Sequence, residues 1–258
     1  MIKDWRLKLW RAGENAGEVS AAQLEAARRA MIEMQIERRG VRDTRVLDAM
    51  RGIPRHAFVP PDLLSQAYED APLPIGAGQT ISQPYMVAAM TAALKLSGNE
   101  RVMEVGGGCG YQAAVLSKLG REVVTLEYRA ELAAATAKRL AEMGYDNIHV
   151  HCGDGTLGLP ELAPFDAILV AAGAPAPPPP LLAQLADGGR MVIPVGSLEN
   201  QELQLIERLG PGRLGPGRLG PGRTGPGSSR DTFQTTVLDT CRFVPLIGAH
   251  GWKDLPLR

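Results

Sequence analysis

Apolar and polar positions follow two different periods along this chain, and the change between them divides it. From Ala22 to Arg39, Leu24, Ala27, Met31 and Met34 recur at helical spacing, and Gly40 ends the run. A second short helix is predicted over Thr44 to Met50, capped by Thr44 or Asp43. Residues 52–84 carry Pro54, Pro60, Pro61, Pro72, Pro74 and Pro84, too many interruptions for a sheet interior, so this stretch reads as loop. Its length alone marks it as a candidate for function. After Pro84, the residues Met86, Val87, Met90, Ala93 and Leu94 make one apolar helical stripe.

Further along, short apolar runs alternate with helical patterns. Strands are predicted at Arg101–Val105, Glu122–Leu126, Asn147–His151, Phe165–Val170 and Arg190–Pro194. Helices are predicted at Tyr111–Leu119, Arg129–Met143 (closed by Gly144) and near Pro180–Ala186. Two more strands follow, Glu202–Arg208 and Gln234–Val244. The run Ala-Ile-Leu-Val at 167–170 is apolar on both faces, as in a parallel sheet covered by helices on each side. The expected fold is therefore α/β, a doubly wound, mostly parallel sheet preceded by N-terminal helices. Residues 1–20 read as a leader and residues 21–258 as a single domain. Residues 209–228 read as an insertion, because Leu-Gly-Pro-Gly-Arg is repeated there and nothing in it can build a core. The alternative for the repeat is a basic arm presenting Arg213, Arg218, Arg223 and Arg230 to an anionic partner.

Composition narrows the class. Lysine plus arginine and aspartate plus glutamate both total 28, so the chain lacks the overall basic field of a dedicated nucleic-acid binder. The three cysteines, Cys109, Cys152 and Cys241, supply no disulfide framework and no close pair for zinc. The first ten residues carry charges throughout, unlike a signal peptide, and the apolar stretch 167–186 is broken by Pro175 and by Pro177 to Pro180. A cytoplasmic protein is expected, with no membrane partner and no metal, and a monomer.

The chemistry concentrates at strand ends. Val-Met-Glu-Val-Gly-Gly-Gly-Cys-Gly-Tyr at 102–111 places Glu104, Gly106, Gly107, Gly108 and Gly110 across a strand-to-helix turn, where glycines let the backbone approach a ligand. Glu127 ends the next strand, where a carboxylate can accept ribose hydroxyls, and Asp154, in Cys-Gly-Asp-Gly at 152–155, follows the third, where it could accept from an adenine amino group. Three consecutive strand ends then face one crevice. The spacing Glu-x-Gly-x-Gly-x-Gly differs from the dinucleotide form Gly-x-Gly-x-x-Gly and resembles the S-adenosylmethionine site of Rossmann-like class I methyltransferases. Leu-Ala-Asp-Gly-Gly-Arg-Met-Val-Ile-Pro-Val at 185–195 resembles a later turn and strand of that class.

A narrower resemblance follows. Pro-Leu-Pro-Ile-Gly-Ala-Gly-Gln-Thr-Ile-Ser-Gln-Pro-Tyr-Met-Val-Ala-Ala-Met-Thr at 72–91 is similar to the signature segment of protein-L-isoaspartate O-methyltransferases. So are Arg-His-Ala-Phe-Val-Pro at 55–60, Gly-Tyr-Gln-Ala-Ala-Val-Leu at 110–116, Gly-Asp-Gly at 153–155, Ala-Pro-Phe-Asp-Ala-Ile at 163–168 and the closing strand Arg-Phe-Val-Pro-Leu at 242–246. The matches run in family order from about residue 27 to 248. The resemblance implies methyl transfer from S-adenosylmethionine to the α-carboxylate of isoaspartyl residues in damaged proteins and peptides, which initiates repair. It implies Ser82 as catalytic residue and Gln79, Thr80, Ile81 and Ser82 as the segment closing over the cofactor. Glu104, Gly106, Gly107, Gly108, Glu127, Asp154 and Gly155 fall on cofactor positions. Two positions depart: the family usually has threonine or serine where Gly107 stands and serine where Cys109 stands. Loss of a hydroxyl at 107 is expected to weaken cofactor affinity modestly. Taken without the resemblance, Ser82 reads as a cap for the helix after Pro84, and His56 as a locally packed side chain. A methyltransferase dedicated to one peptide, and a non-catalytic module using the arginine repeats, are the alternatives in other classes.

Overall fold

The computed structural model describes residues 19–209 and 232–253. Most of the expected leader, and the Gly-Pro-Gly-Arg repeats beyond Leu209, lie outside the described residues. The first helix, α1 (Ala21–Ala30), starts at Ser20 because a capping box satisfies its end: the Ser20 hydroxyl accepts from Gln23 N and the Gln23 side chain accepts from Ser20 N. It continues as a π-helical stretch, Met31–Glu37, that buries Met31, Ile32 and Ile36. Helix α2 (Thr44–Gly52) is capped by Asp43. Two 3₁₀ turns, Arg55–Phe58 and Pro61–Gln66, then lead to a hairpin of β1 (Leu73–Gly76) and β2 (Gln79–Ile81). That hairpin stands where the proline count predicts loop alone. Helix α3 (Pro84–Leu94) follows directly, with its proline at the first turn, where a missing N–H costs nothing.

The main sheet is built from β3 (Arg101–Val105), β4 (Glu122–Glu127), β5 (Ile148–Cys152), β6 (Phe165–Val170), β7 (Leu185–Gly196), β8 (Gln201–Leu209) and β9 (Thr232–Cys241). Their order is β5-β4-β3-β6-β7-β8-β9. Pairs from β5 to β7 are parallel, and β7–β8 and β8–β9 are antiparallel. Helices α4 (Tyr111–Ser117), α5 (Ala130–Glu142) and α6 (Pro179–Ala183) fill the crossovers. Strand β7 begins earlier than Arg190 because Leu185 pairs with Phe165 across an irregularity, and the last strand ends at Cys241. Residues 242–246, expected as a closing strand, make only an isolated bridge between Pro245 and Gly173.

Period-two alternation sorts side chains between two apolar layers. Val102, Val123, Ala167, Leu169 and Val192 face the layer that holds the N-terminal helices, α3 and α4. Met103, Val124, Ile168, Val170, Met191 and Ile193 face the layer with Leu181 of α6 and Leu246. Both sheet faces are covered, so central strands read as unbroken apolar runs. The chain proceeds from β3 outward to β5 and returns on the other side of β3 with β6. The switch point therefore lies at the C-terminal ends of β3 and β6, where open α/β sheets hold ligands.

Candidate active site

An open cleft of about 830 Å³, counting the solvent at its mouth, lies at that switch point. Its floor comes from strand ends: Glu104 to Cys109 at and after the end of β3, Glu127 to Arg129 at and after the end of β4, Gly155 after β5, and Ala171 and Ala172 after β6. Gln79 to Ser82, from β2 and the residue after it, line it as well, as do Val244 to Ile247 near the C-terminus. Of the residues named from sequence, Gln79, Thr80, Ile81, Ser82, Glu104, Gly106, Gly107, Gly108, Glu127 and Gly155 all meet here. Asp154 is the exception. It stands just outside the lining, its carboxylate bonded to Thr156 and to the Ala249 amide.

Ser82 is half-buried between β2 and α3. The capping position of α3 is taken by Gln83, which makes no side-chain cap, so the helix-cap reading of Ser82 finds no support. Among the described residues the Ser82 hydroxyl has no hydrogen-bond partner, which leaves it open to a ligand. Gln83 instead reaches sideways, its Nε2 donating to the Asp70 carbonyl at 3.1 Å and to Asp70 Oδ1 at 2.9 Å. Asp70 in turn pairs with Arg39 at 3.3 Å, and the Arg39 guanidinium stacks on Tyr85.

Two carboxylates anchor the glycine loop. Glu127 is nearly buried and accepts from the Gly108 amide and from the Arg129 amide, each at 2.9 Å, so its side chain is fixed in the cleft with lone pairs to spare. Glu104 is fully buried: Oε2 accepts from the Thr125 hydroxyl, while Oε1 has no partner. Burial pushes its carboxyl up to about 8, against the Thr125 bond and with help from the neighbouring Glu127 charge. Gly107 is required by close approach, because a Cβ there would lie 2.5 Å from Thr125 Oγ1.

Several residues at or behind the cleft were not singled out from the sequence as site residues. Tyr111, the first residue of α4, is buried with the Arg55 guanidinium 5.3 Å from its ring. Arg55 is itself fully buried and donates from Nε to the Ala67 carbonyl at 2.8 Å. Ala171 and Ala172 could have been found by the same strand-end rule that picked Glu127. Val244 to Leu246 fall in the 242–246 segment that resembles the family, but the place of Val244 to Ile247 at the cleft comes only through tertiary contact with Gly173. His56 is bonded to the Tyr68 hydroxyl at 2.6 Å and pushed down to about 4 by burial first and by Arg28 second, so it is neutral and engaged away from the cleft. Among the described residues no group of three or more His, Cys, Asp or Glu is placed to bind a metal.

The arrangement suits a cofactor with an anchored ribose and a cationic end. Glu127 faces the cleft with free lone pairs, and the unpartnered Oε1 of Glu104 is a buried acceptor that a cation would satisfy. Comparison with known proteins agrees. Residues 26–216 match the profile of the family protein-L-isoaspartate(D-aspartate) O-methyltransferase. Over 225 residues the chain is 53% identical to a protein-L-isoaspartate O-methyltransferase of Roseiflexus castenholzii, covering 87% of this chain and 94% of the relative. A protein-L-isoaspartate O-methyltransferase 2 of Shewanella sediminis is 54% identical, covering 88% and 85%. Among solved structures, a protein-L-isoaspartate O-methyltransferase superposes with a TM-score of 0.70 at 29% identity, over 87% of this chain and 67% of that one. A Plasmodium falciparum chain described under the same activity, in complex with S-adenosyl-L-homocysteine, shares the fold with a TM-score of 0.67 at 23% identity, over 85% of this chain and 98% of that one.

Proposed function

The chain belongs to the protein-L-isoaspartate O-methyltransferase family, and on that premise we propose how its cleft serves the reaction. A methyl group passes from S-adenosylmethionine to the α-carboxylate of an L-isoaspartyl residue in a damaged protein or peptide. Glu104, the Gly106–Gly108 backbone, Glu127 and Gly155 would hold the cofactor, with Gln79, Thr80 and Ile81 closing over it. When bound, the cofactor supplies an electrophilic methyl group on a positively charged sulfur.

An α-carboxylate is ionised at neutral pH, so its attack needs no general base. His56, bonded to Tyr68, is engaged away from the cleft and takes no part. What remains for the protein is alignment, which supplies roughly 7–11 kcal/mol in favourable cases. Ser82 is the group for it: its hydroxyl donates to one carboxylate oxygen and fixes the direction of the other. The observation that carries this role is the unbonded Ser82 hydroxyl in the cleft lining, displaced from helix capping by Gln83.

Replacing Ser82 with Ala should lower turnover roughly ten- to a hundredfold, the worth of one hydrogen bond to a charged group. The dissociation constant for S-adenosylmethionine should stay within about threefold, because the lost bond is to the acceptor. Unchanged turnover would remove Ser82 from the reaction. Broad action on unrelated isoaspartyl peptides separates this reading from a methyltransferase dedicated to one peptide. The cytoplasmic location and the monomeric state expected from the sequence belong to the same reading, and cell fractionation and sedimentation test them. Among the described residues no helix is long and apolar enough to cross a membrane.

A further inference from the structure

Asp154 spends its carboxylate on the protein itself. Oδ1 accepts from Thr156 N at 2.9 Å and from the Thr156 hydroxyl at 2.6 Å, and Oδ2 accepts from Ala249 N at 2.8 Å. The Thr156 hydroxyl, fully buried, accepts in turn from His250 N at 3.0 Å. One carboxylate and one hydroxyl after β5 therefore bind two consecutive amides of a turn far away in sequence. Partial burial opposes ionisation of Asp154, but the bonds from Thr156 and Ala249 outweigh it and hold the carboxyl below the usual carboxylate range. The junction is close-fitting: a Cβ on Gly248 would lie 2.0 Å from Asp154 Oδ1.

The same segment is tied down a second time, at the end of β6. Gly173 N donates to the Val244 carbonyl at 2.8 Å, and the Gly173 carbonyl accepts from Leu246 N at 2.8 Å and from Trp252 Nε1 at 3.0 Å. Trp252 N returns to the Leu246 carbonyl at 2.7 Å and closes the turn on itself. Val244 to Ile247, held directly at the second anchor and followed by the first, line the cleft. These residues adjoin β6, on the opposite side of β3 from Glu127 and β4. That is the side of the cleft left for the acceptor when Glu127 holds the ribose.

We propose that Asp154 and Thr156 are positioning residues, a polar clasp that fixes the 248–250 turn and so sets the wall, Val244 to Ile247, against which the isoaspartyl peptide is placed. This rests on the methyltransferase reading above. It gives Asp154 a task other than the adenine contact expected from its sequence position, and it assigns one to Thr156, which does not line the cleft.

Asp154→Asn and Thr156→Val are the variants to compare, with Thr156→Ser as the conservative control. The clasp predicts that Asp154→Asn and Thr156→Val both raise KM for an isoaspartyl peptide, by about tenfold. Each keeps the dissociation constant for S-adenosylmethionine within about threefold, and Thr156→Ser restores KM. Amide exchange in the free protein provides an arm that needs no substrate: Leu246, Ala249 and His250 should all exchange faster in Thr156→Val. Weaker cofactor binding in Asp154→Asn alone, with Thr156→Val like the unaltered chain, would return Asp154 to a cofactor contact and overturn the clasp. So would variants that lower only the melting temperature, or exchange at Leu246 that does not change. Failure of the unaltered chain to methylate any isoaspartyl peptide would instead overturn the methyltransferase reading, and the exchange arm would still report on the clasp.

Discussion

Glu104 shows how one side chain can serve the empty and the loaded cleft differently. Its carboxyl titrates near 8 in the folded protein, against 4.5 for the ordinary group, chiefly because it is buried. Between those values the folded state binds the proton and the unfolded state does not. Its contribution to stability is therefore fully present below about pH 4.5 and is lost as pH rises through 8. Glu104→Gln removes that dependence. The variant should melt at a higher temperature than the unaltered protein at pH 8, with the gap closing by pH 5, and it should bind S-adenosylmethionine more weakly at both. A parallel fall of both melting temperatures between pH 5 and 8 would show that Glu104 is not the group responsible. Most of this residue-level site was legible, since Glu104, the glycines and Glu127 follow from one rule about strand ends. The Thr125 hydroxyl beside Gly107 was not, because cross-strand neighbours depend on a register that no local pattern reveals.

The junction of β2 and α3 is where an element sets the position of a reacting group. Ser82 is followed by Gln83, and the two bonds from Gln83 to Asp70 pin that junction to the preceding loop, with Arg39 and Tyr85 behind. Gln83→Ala should reduce turnover several-fold with little change in melting temperature, since the bonds lie at an exposed site. Gln83→Glu should reduce it further, by setting a like charge against Asp70, and added salt should relieve that excess. Turnover equal to the unaltered chain in both would mean that the tie does not position Ser82. The hairpin leading to this junction escaped the sequence for a physical reason. Its strands are short, Pro74 lies within one of them, and Ala77 and Gly78 turn it with φ of 52° and 71°. Alanine in that region is no turn signal, so the stretch looked like plain loop. Helices α1 to α3 and the central strands were legible because their apolar periods are long enough to be unambiguous.

On the scale of the whole molecule, the sheet sets Leu209 and Thr232 apart from the cleft. The cleft belongs to the ends of β3, β4 and β6, while β9 is the outermost strand on the far side of β7 and β8. Leu209 and Thr232 are directly paired across β8 and β9, so a two-residue turn could join them without altering the register. Replacing residues 210–231 by Asn-Gly should leave kcat/KM for an isoaspartyl peptide within about twofold. A large loss would give the arginine-bearing repeat a part in binding the acceptor. A doubly wound, mostly parallel sheet with a crevice at its strand ends was expected from the alternation of elements, yet the wall at Val244 to Ile247 was not, because it meets Gly173 only after the whole sheet is assembled.

The most direct measurement of the central claim uses two peptides that differ only in one linkage, aspartyl in one and isoaspartyl in the other, with S-adenosylmethionine labelled in its methyl group. The cleft described here predicts base-labile label on the isoaspartyl peptide alone. Label on both peptides, or on neither while the cofactor still raises the melting temperature, would contradict it.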